Sequence, residues 1–194
     1  MKHRLFWPVL IFVFALASPA ALGEDDPKKM QDEGRRIAAE FVQMLGGELR
    51  REMEATGPLR SILVCKFYAP EVASALSRQT GWRVSRVSLK PRNPALGYAD
   101  PWEQRVLMEF DQRVARGEKA ETIEYWEIVQ EPQGKVFRYM KALPVAPLCL
   151  NCHGSPSQIS DTVKSQLGKE YPFDRGVGYS VGQVRGAVTV KRPL

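Results

Sequence analysis

Histidine and cysteine are scarce in this chain of 194 residues, which holds two of the first, His3 and His153, and three of the second, Cys65, Cys149 and Cys152. An odd cysteine count excludes a framework in which every thiol is paired within the chain. No sustained basic block is present, because Lys and Arg are scattered among acids, and that argues against a nucleic-acid protein. No apolar run reaches the roughly 20 residues a spanning helix needs, and no internal repeat or low-complexity tract occurs. A hydrophobic fraction of 44% and a charged fraction of 26% argue against both disorder and a multi-span membrane protein. The length suits one well-filled domain.

The amino terminus differs from the rest. Lys2, His3 and Arg4 precede an apolar run from Leu5 to Ala17, followed by small residues through Ser18, Ala20, Ala21 and Gly23 and then by Glu24, Asp25 and Asp26. That is the layout of a secretory signal, expected to end at Ala21-Leu22-Gly23. The reading is a signal peptide over 1–23, a single domain over 24–194, a periplasmic location and no membrane span after cleavage. Loss of Lys2 and Arg4 leaves 26 basic against 22 acidic residues, a mild net charge of +4. Loss of His3 leaves His153 as the one histidine.

His153 closes the pentapeptide Cys149-Leu150-Asn151-Cys152-His153. Three chemistries use such cysteines. A redox-active Cys-x-x-Cys belongs at the start of a helix in a strand-then-helix unit, whereas this pair follows the loop-like "LPVAP" and leaves Cys65 unexplained. A Cys₃His zinc site has the correct ligand types, but ligands as close as Cys152 and His153 rarely both turn inward. Covalent haem c requires this adjacency: two thiols add to the haem vinyl groups, and the next histidine becomes an axial ligand of the iron. An exported chain is also where such attachment takes place. One haem c on Cys149 and Cys152, with His153 on the iron, is the reading that fits.

With no second histidine, the other axial position falls to Met, Cys, Lys, Tyr, water or nothing. Met30, Met44, Met53, Met108 and Met140 are ordinary core fillers as well as ligands, and the first three fall on one helical stripe. Cys65 reads equally as a small buried hydrophobe and as the leftover soft ligand. Its surroundings, from Pro58 to Gly81, are helical in pattern, with Ile62, Cys65, Ala69, Val72 and Leu76 on one face. Pro70 is expected to break or kink that helix beside the thiol.

Elsewhere a helix is expected from Pro27 to Glu54, capped by Asp26 and weakened at Gly46-Gly47, then a strand in "WRVSRVSL", a long loop in "KPRNPALGYADPWE" and a helix from Pro101 to about Arg116. A hairpin is expected around Glu131-Pro132-Gln133-Gly134, a short helix over Ile159 to Leu167, and a closing hairpin in "VGYSVGQVRGAVTVKRP" with its turn at Gly182-Gln183. The sum is an α+β domain with an antiparallel sheet.

The ordered segments "VCKFYAPEVA", "RVSLKPRNP" with "PWE", "YMKALPVAPLCLNCHG" and "YPFDRGVGYSVGQVRGAVTV" resemble the Tll0287-like haem domain family. The resemblance runs from about Gly34 to Val190 and implies a PAS-like antiparallel sheet with flanking helices and covalent haem c. It also implies axial ligation by His153 and Cys65, in the stand-alone exported form. "ALGYAD", Ala95 to Asp100, is longer than the family's pattern. A thiolate ligand stabilises ferric iron, so a low potential is expected, with a sixth ligand that weakens on reduction or protonation.

The function read from this is a redox-responsive or ligand-responsive cytochrome, whose partner is a redox protein or a small gaseous ligand. A simple electron carrier with fixed ligands is the alternative. A peroxidase would have to rely on Arg92 or Tyr139 in place of a distal histidine, and is set aside. Arg86, Lys90 and Arg92 form a local positive group, read either as partners of haem propionates or as a solvated face.

Overall fold

The structure, a computed structural model, describes residues 26–194; the expected signal peptide lies outside the described residues. Helix α1 spans Pro27–Thr56 because Asp26 caps it, its side chain accepting from the Lys28 N–H at 2.9 Å, and because Met30, Gly34, Ile37, Ala38, Phe41 and Leu45 form one buried stripe. Gly46 and Gly47 do not interrupt it. Their propensity penalty of about 1 kcal/mol each is small beside that buried face. Met44, at the stripe's edge, is exposed.

Gly57, at φ 75°, turns the chain into α2 (Pro58–Leu63), which passes through a π-helical segment, Val64–Tyr68, into α3 (Ala69–Thr80). Strand β1 (Arg83–Val87) follows. The expected long loop holds one helical turn, α4 (Pro94–Gly97), and a parallel bridge between Ser88 and Tyr98, so "ALGYAD" is tied to the end of β1. Helix α5 (Pro101–Ala115) opens on a capping box between Asp100 and Glu103. Strands β2 (Glu124–Glu131) and β3 (Gly134–Pro144) form the hairpin expected at Pro132-Gln133. After the short α6 (Leu150–His153) come α7 (Asp161–Glu170) and β4 (Val184–Pro193).

The closing hairpin is not formed. The sheet order is β1-β4-β3-β2, all antiparallel, so β4 is central and both its edges are taken, by β1 on one side and β3 on the other. No edge remains for "VGYS", which lies outside the sheet. Gly186 makes this close packing possible: a Cβ there would sit 2.3 Å from the Val87 carbonyl oxygen on the neighbouring strand.

Strand alternation puts Phe137, Tyr139, Val188 and Val190 against α1 and α3, and Met140, Ala142 and Ala187 against α5. A third cluster, Ile62 with Ile159, Val163, Leu167 and Tyr171, binds α2 to α7 and is flanked by Cys152. No helix among the described residues is long and apolar enough to cross a membrane.

Two ionic networks, the first half-exposed and the second partly buried, tie these layers together. Glu124 accepts from Arg35, Tyr139 Oη and Gln31. Asp100 accepts from Lys191 at 2.7 Å and Arg138 at 2.6 Å. Burial works to raise the Asp100 carboxyl, but the hydrogen bonds from Lys191, the Glu103 N–H and Arg138 outweigh it and hold it at about 2 rather than 3.8. The Arg35 hydrogen bond chiefly lowers Glu124 from 4.5 to about 2. A carboxylate held low in the fold stabilises it above the unfolded value and loses that contribution as pH falls through the folded value. Melting temperature is therefore expected to be flat above about pH 5 and to drop between about pH 4 and 2, read by circular dichroism.

Candidate functional site

The pentapeptide sits on a single-turn platform. Pro147–Cys149 forms a 3-10 turn that runs directly into α6, so Cys149 and Cys152 fall three residues apart on one face. Val145 exchanges hydrogen bonds with the turn that replaces the expected hairpin, donating to Gln183 O and accepting from Gly182 N, both at 2.9 Å. The same segment crosses the end of the motif, with Gly178 N donating to Gly154 O at 2.8 Å and Tyr179 N to His153 O at 2.9 Å. Gly154 is required at the exit, because a Cβ would stand 2.7 Å from the Leu150 carbonyl oxygen.

Cys65 owes its place to Pro70. Proline has no N–H for the Lys66 carbonyl and its ring crowds that carbonyl, and the helix responds by widening rather than breaking: Ala69 N–H donates to Val64 O, five residues back. One extra residue per turn shifts the faces. Val64 joins Ala69 in the core, whereas Cys65, expected on that face, rotates off it and stays half-buried.

Cys65 and His153 line one cavity of about 320 Å³, between the π segment, the start of α3, β1 and the loop holding α4. Its size is at the lower end for small-molecule sites. Ala69, Pro70, Ala73, Val84, Val87 and Leu143 give it apolar walls. Lys66, Arg86, Arg92 and Arg185 also line it, with no Asp or Glu among the lining residues. None of the five methionines lines it, so the alternative sulfur ligands lie elsewhere in the described residues. Cys149 and Cys152 are not among its lining residues, although they are close enough to Cys65 for its charge to oppose their ionisation weakly. Burial, chiefly, raises the Cys149 thiol and pushes Cys152 up to about 11. A redox-active dithiol needs the opposite shift. Nor does any group of three His, Cys, Asp or Glu side chains among the described residues converge as a metal-ion cluster, so Cys₃His zinc ligation is not assembled.

The His153 ring is fixed from behind. Nδ1 lies 2.5 Å from Gly176 O, a distance that requires Nδ1–H to donate, and this leaves Nε2 with its lone pair free. Arg185 Nε–H points at the same nitrogen from 3.1 Å, but Nδ1 cannot accept while it donates to Gly176 O, so this is a close approach of like donors and not a second hydrogen bond. Burial, then the positive charges of Arg185 and Arg92, hold the imidazolium well below its ordinary pKa. The ring is neutral, as a metal ligand must be.

The four cations differ in what remains free. Lys66 is paired with Glu170 at 2.6 Å. Arg185 donates to Ser88 Oγ at 2.8 Å and Lys90 O at 3.2 Å, and burial pushes it down to about 10. Arg92, read from sequence as a propionate partner or a solvated residue, is buried and spent on Asp174, Cys152 O and Gly176 O. Lys90 is outside this cavity, exposed and stacked 4.7 Å from the Tyr179 ring. Arg86 alone lines the cavity with no hydrogen-bond or ion-pair partner among the described residues. Tyr139 is sealed in the core against Glu124 and does not line the cavity.

Sequence reasoning missed Asp174, Arg185 and Gly176. Arg185 lies in the stretch expected to form the closing hairpin, Asp174 and Gly176 lie just before it, and no local pattern announces that this segment folds onto His153.

An apolar slot with one neutral imidazole, one thiol, a free guanidinium and no carboxylate fits an apolar macrocycle that carries its own carboxylates and a metal. A family model described as Tll0287-like matches residues 25–193. No curated protein matches the chain. A solved structure, described as that of the cyanobacterial heme-protein Tll0287, is 24% identical, with a TM-score of 0.65 over 87% of this chain and 96% of that one. That likeness shows a shared fold.

Proposed function

The chain belongs to the Tll0287-like family, and from that premise we propose that it is an exported monohaem c-type cytochrome that responds to redox state or to a small ligand. The observation that carries the proposal is the shared cavity: His153, with Nδ1–H engaged and Nε2 free, lines the same space as Cys65. Cys149 and Cys152 would hold the haem by thioether bonds, His153 and Cys65 would take its two axial positions, and Arg86 would pair with a propionate. When bound, the iron supplies one-electron chemistry between ferric and ferrous states. The protein's part is to exclude water with the apolar walls, orient the imidazole through Gly176 and present a thiol from a helix turn with altered geometry.

A sensing role is favoured over plain electron transfer by the position of Cys65. It sits in a π-helical turn rather than in the core, and a thiolate there would favour the ferric over the ferrous state. An enzymatic role is disfavoured because Tyr139 is sealed away and Arg92 has committed donors. The signal layout of residues 1–23 supports a periplasmic setting. Carbon monoxide added to the reduced protein separates the two readings. A shifted Soret band is expected; an unchanged band would assign the protein to simple electron transfer with a fixed sixth ligand.

A further inference from the structure

Arg92 and Asp174 occupy a place between the haem-binding pentapeptide and the carbonyl that orients its histidine. Arg92 is 9% exposed. Its Nε donates to Asp174 Oδ2 at 2.9 Å, and its Nη2 donates to both Cys152 O and Gly176 O. Asp174 Oδ1 in turn accepts from Gly176 N–H at 2.6 Å. Gly176 O is the atom that accepts from His153 Nδ1–H. The loop after β1 is tied to the same place, because Arg175 N donates to Pro91 O at 3.1 Å. One guanidinium therefore grips the peptide that leads into His153 and the peptide that receives its ring proton.

We propose that Arg92 and Asp174 are positioning residues that hold the tautomer and orientation of His153 as an axial ligand. The proposal rests on the haem reading above for its consequence, but not for its geometry. The planar fork of arginine reaches a carboxylate and two carbonyls together, which a lysine ammonium on a flexible stem cannot reproduce. Partners behind a metal-bound histidine commonly govern affinity and function as strongly as 10-fold to 100-fold.

The test uses the full chain matured with haem, comparing wild type with Arg92→Lys and Asp174→Asn. Covalent haem content tests the haem reading, and the ligand field tests the latch. With attached haem equal to wild type, the variants are expected to show at least about a tenfold rise in the high-spin EPR signal of iron that has lost His153, together with a shifted midpoint potential. Loaded variants with wild-type EPR spectra and potential would overturn the latch. If wild type attaches no haem, the haem reading fails, and nitrogen-15 NMR of the His153 ring in the unloaded full chain decides the geometry. There, a single Nδ1–H tautomer in wild type that becomes a mixture in Asp174→Asn supports the latch, and identical ring shifts overturn it.

Discussion

On the proposed haem reading, replacing Cys65 with alanine is expected to abolish the low-spin thiolate signature in the EPR spectrum of the oxidised protein and to leave the haem covalently attached. The two effects separate because different residues carry them. Attachment would belong to Cys149 and Cys152, on a platform held through the backbone of Val145, Gly178 and Tyr179, none of which makes a backbone hydrogen bond to the π segment. Ligation on the other side would belong to Cys65: none of the methionines lines the cavity, Lys66 is engaged with Glu170, and Tyr171, also on the cavity wall, has its phenol held protonated by burial. A thiolate stabilises ferric iron, so its loss raises the midpoint potential by on the order of 0.1 V, within the roughly 0.8 V that axial ligation spans. An unchanged EPR spectrum in Cys65→Ala would remove this residue from the site. Because the side chain is half-buried and outside the core cluster, the fold tolerates the change.

Arg138→Ala has the opposite profile, with a large loss of stability and no direct effect on the site. Arg138 is 4% exposed and holds Asp100 at 2.6 Å, Glu103 at 3.2 Å and Glu131 at 3.3 Å, with the Trp102 ring 4.2 Å from its guanidinium carbon. Removing it leaves carboxylates at the start of α5 and the end of β2 with Lys191 as the remaining cation. Breaking a buried pair by deleting one partner costs about 3–5 kcal/mol, much more than an exposed pair is worth. Urea unfolding should show a lower midpoint at an unchanged slope. A variant within about 0.5 kcal/mol of wild type would mean that the network contributes specificity and no net stability. An exposed pair such as Arg36–Glu33 supplies the contrast, and Arg36→Ala should fall within that margin.

What was legible in the sequence follows the range of the forces involved. Helix α1 could be read because its cap and stripe are local, and the β2–β3 hairpin because a Pro-Gln-Gly turn separates two alternating segments. The pentapeptide could be read because its chemistry requires the residues to be adjacent. The closing hairpin was misread because alternation in "VGYSVGQVRGAVTV" is equally suited to one strand or two, and the choice is made by β1 and β3 taking both edges of β4. Arg92 was ambiguous for the same reason: its partner Asp174 is 82 residues away. Pro70 announced an irregularity beside Cys65, but not that the helix would widen instead of breaking, nor that Cys65 would thereby leave the core for the cavity.

The most direct test of the central claim is acid-acetone extraction of the protein purified from a host able to attach c-type haem, followed by mass spectrometry of the peptide holding Cys149 to His153. Covalent attachment predicts that the precipitate keeps its colour and that this peptide carries the mass of one haem on its two cysteines. A colourless precipitate with an unmodified peptide would contradict the account.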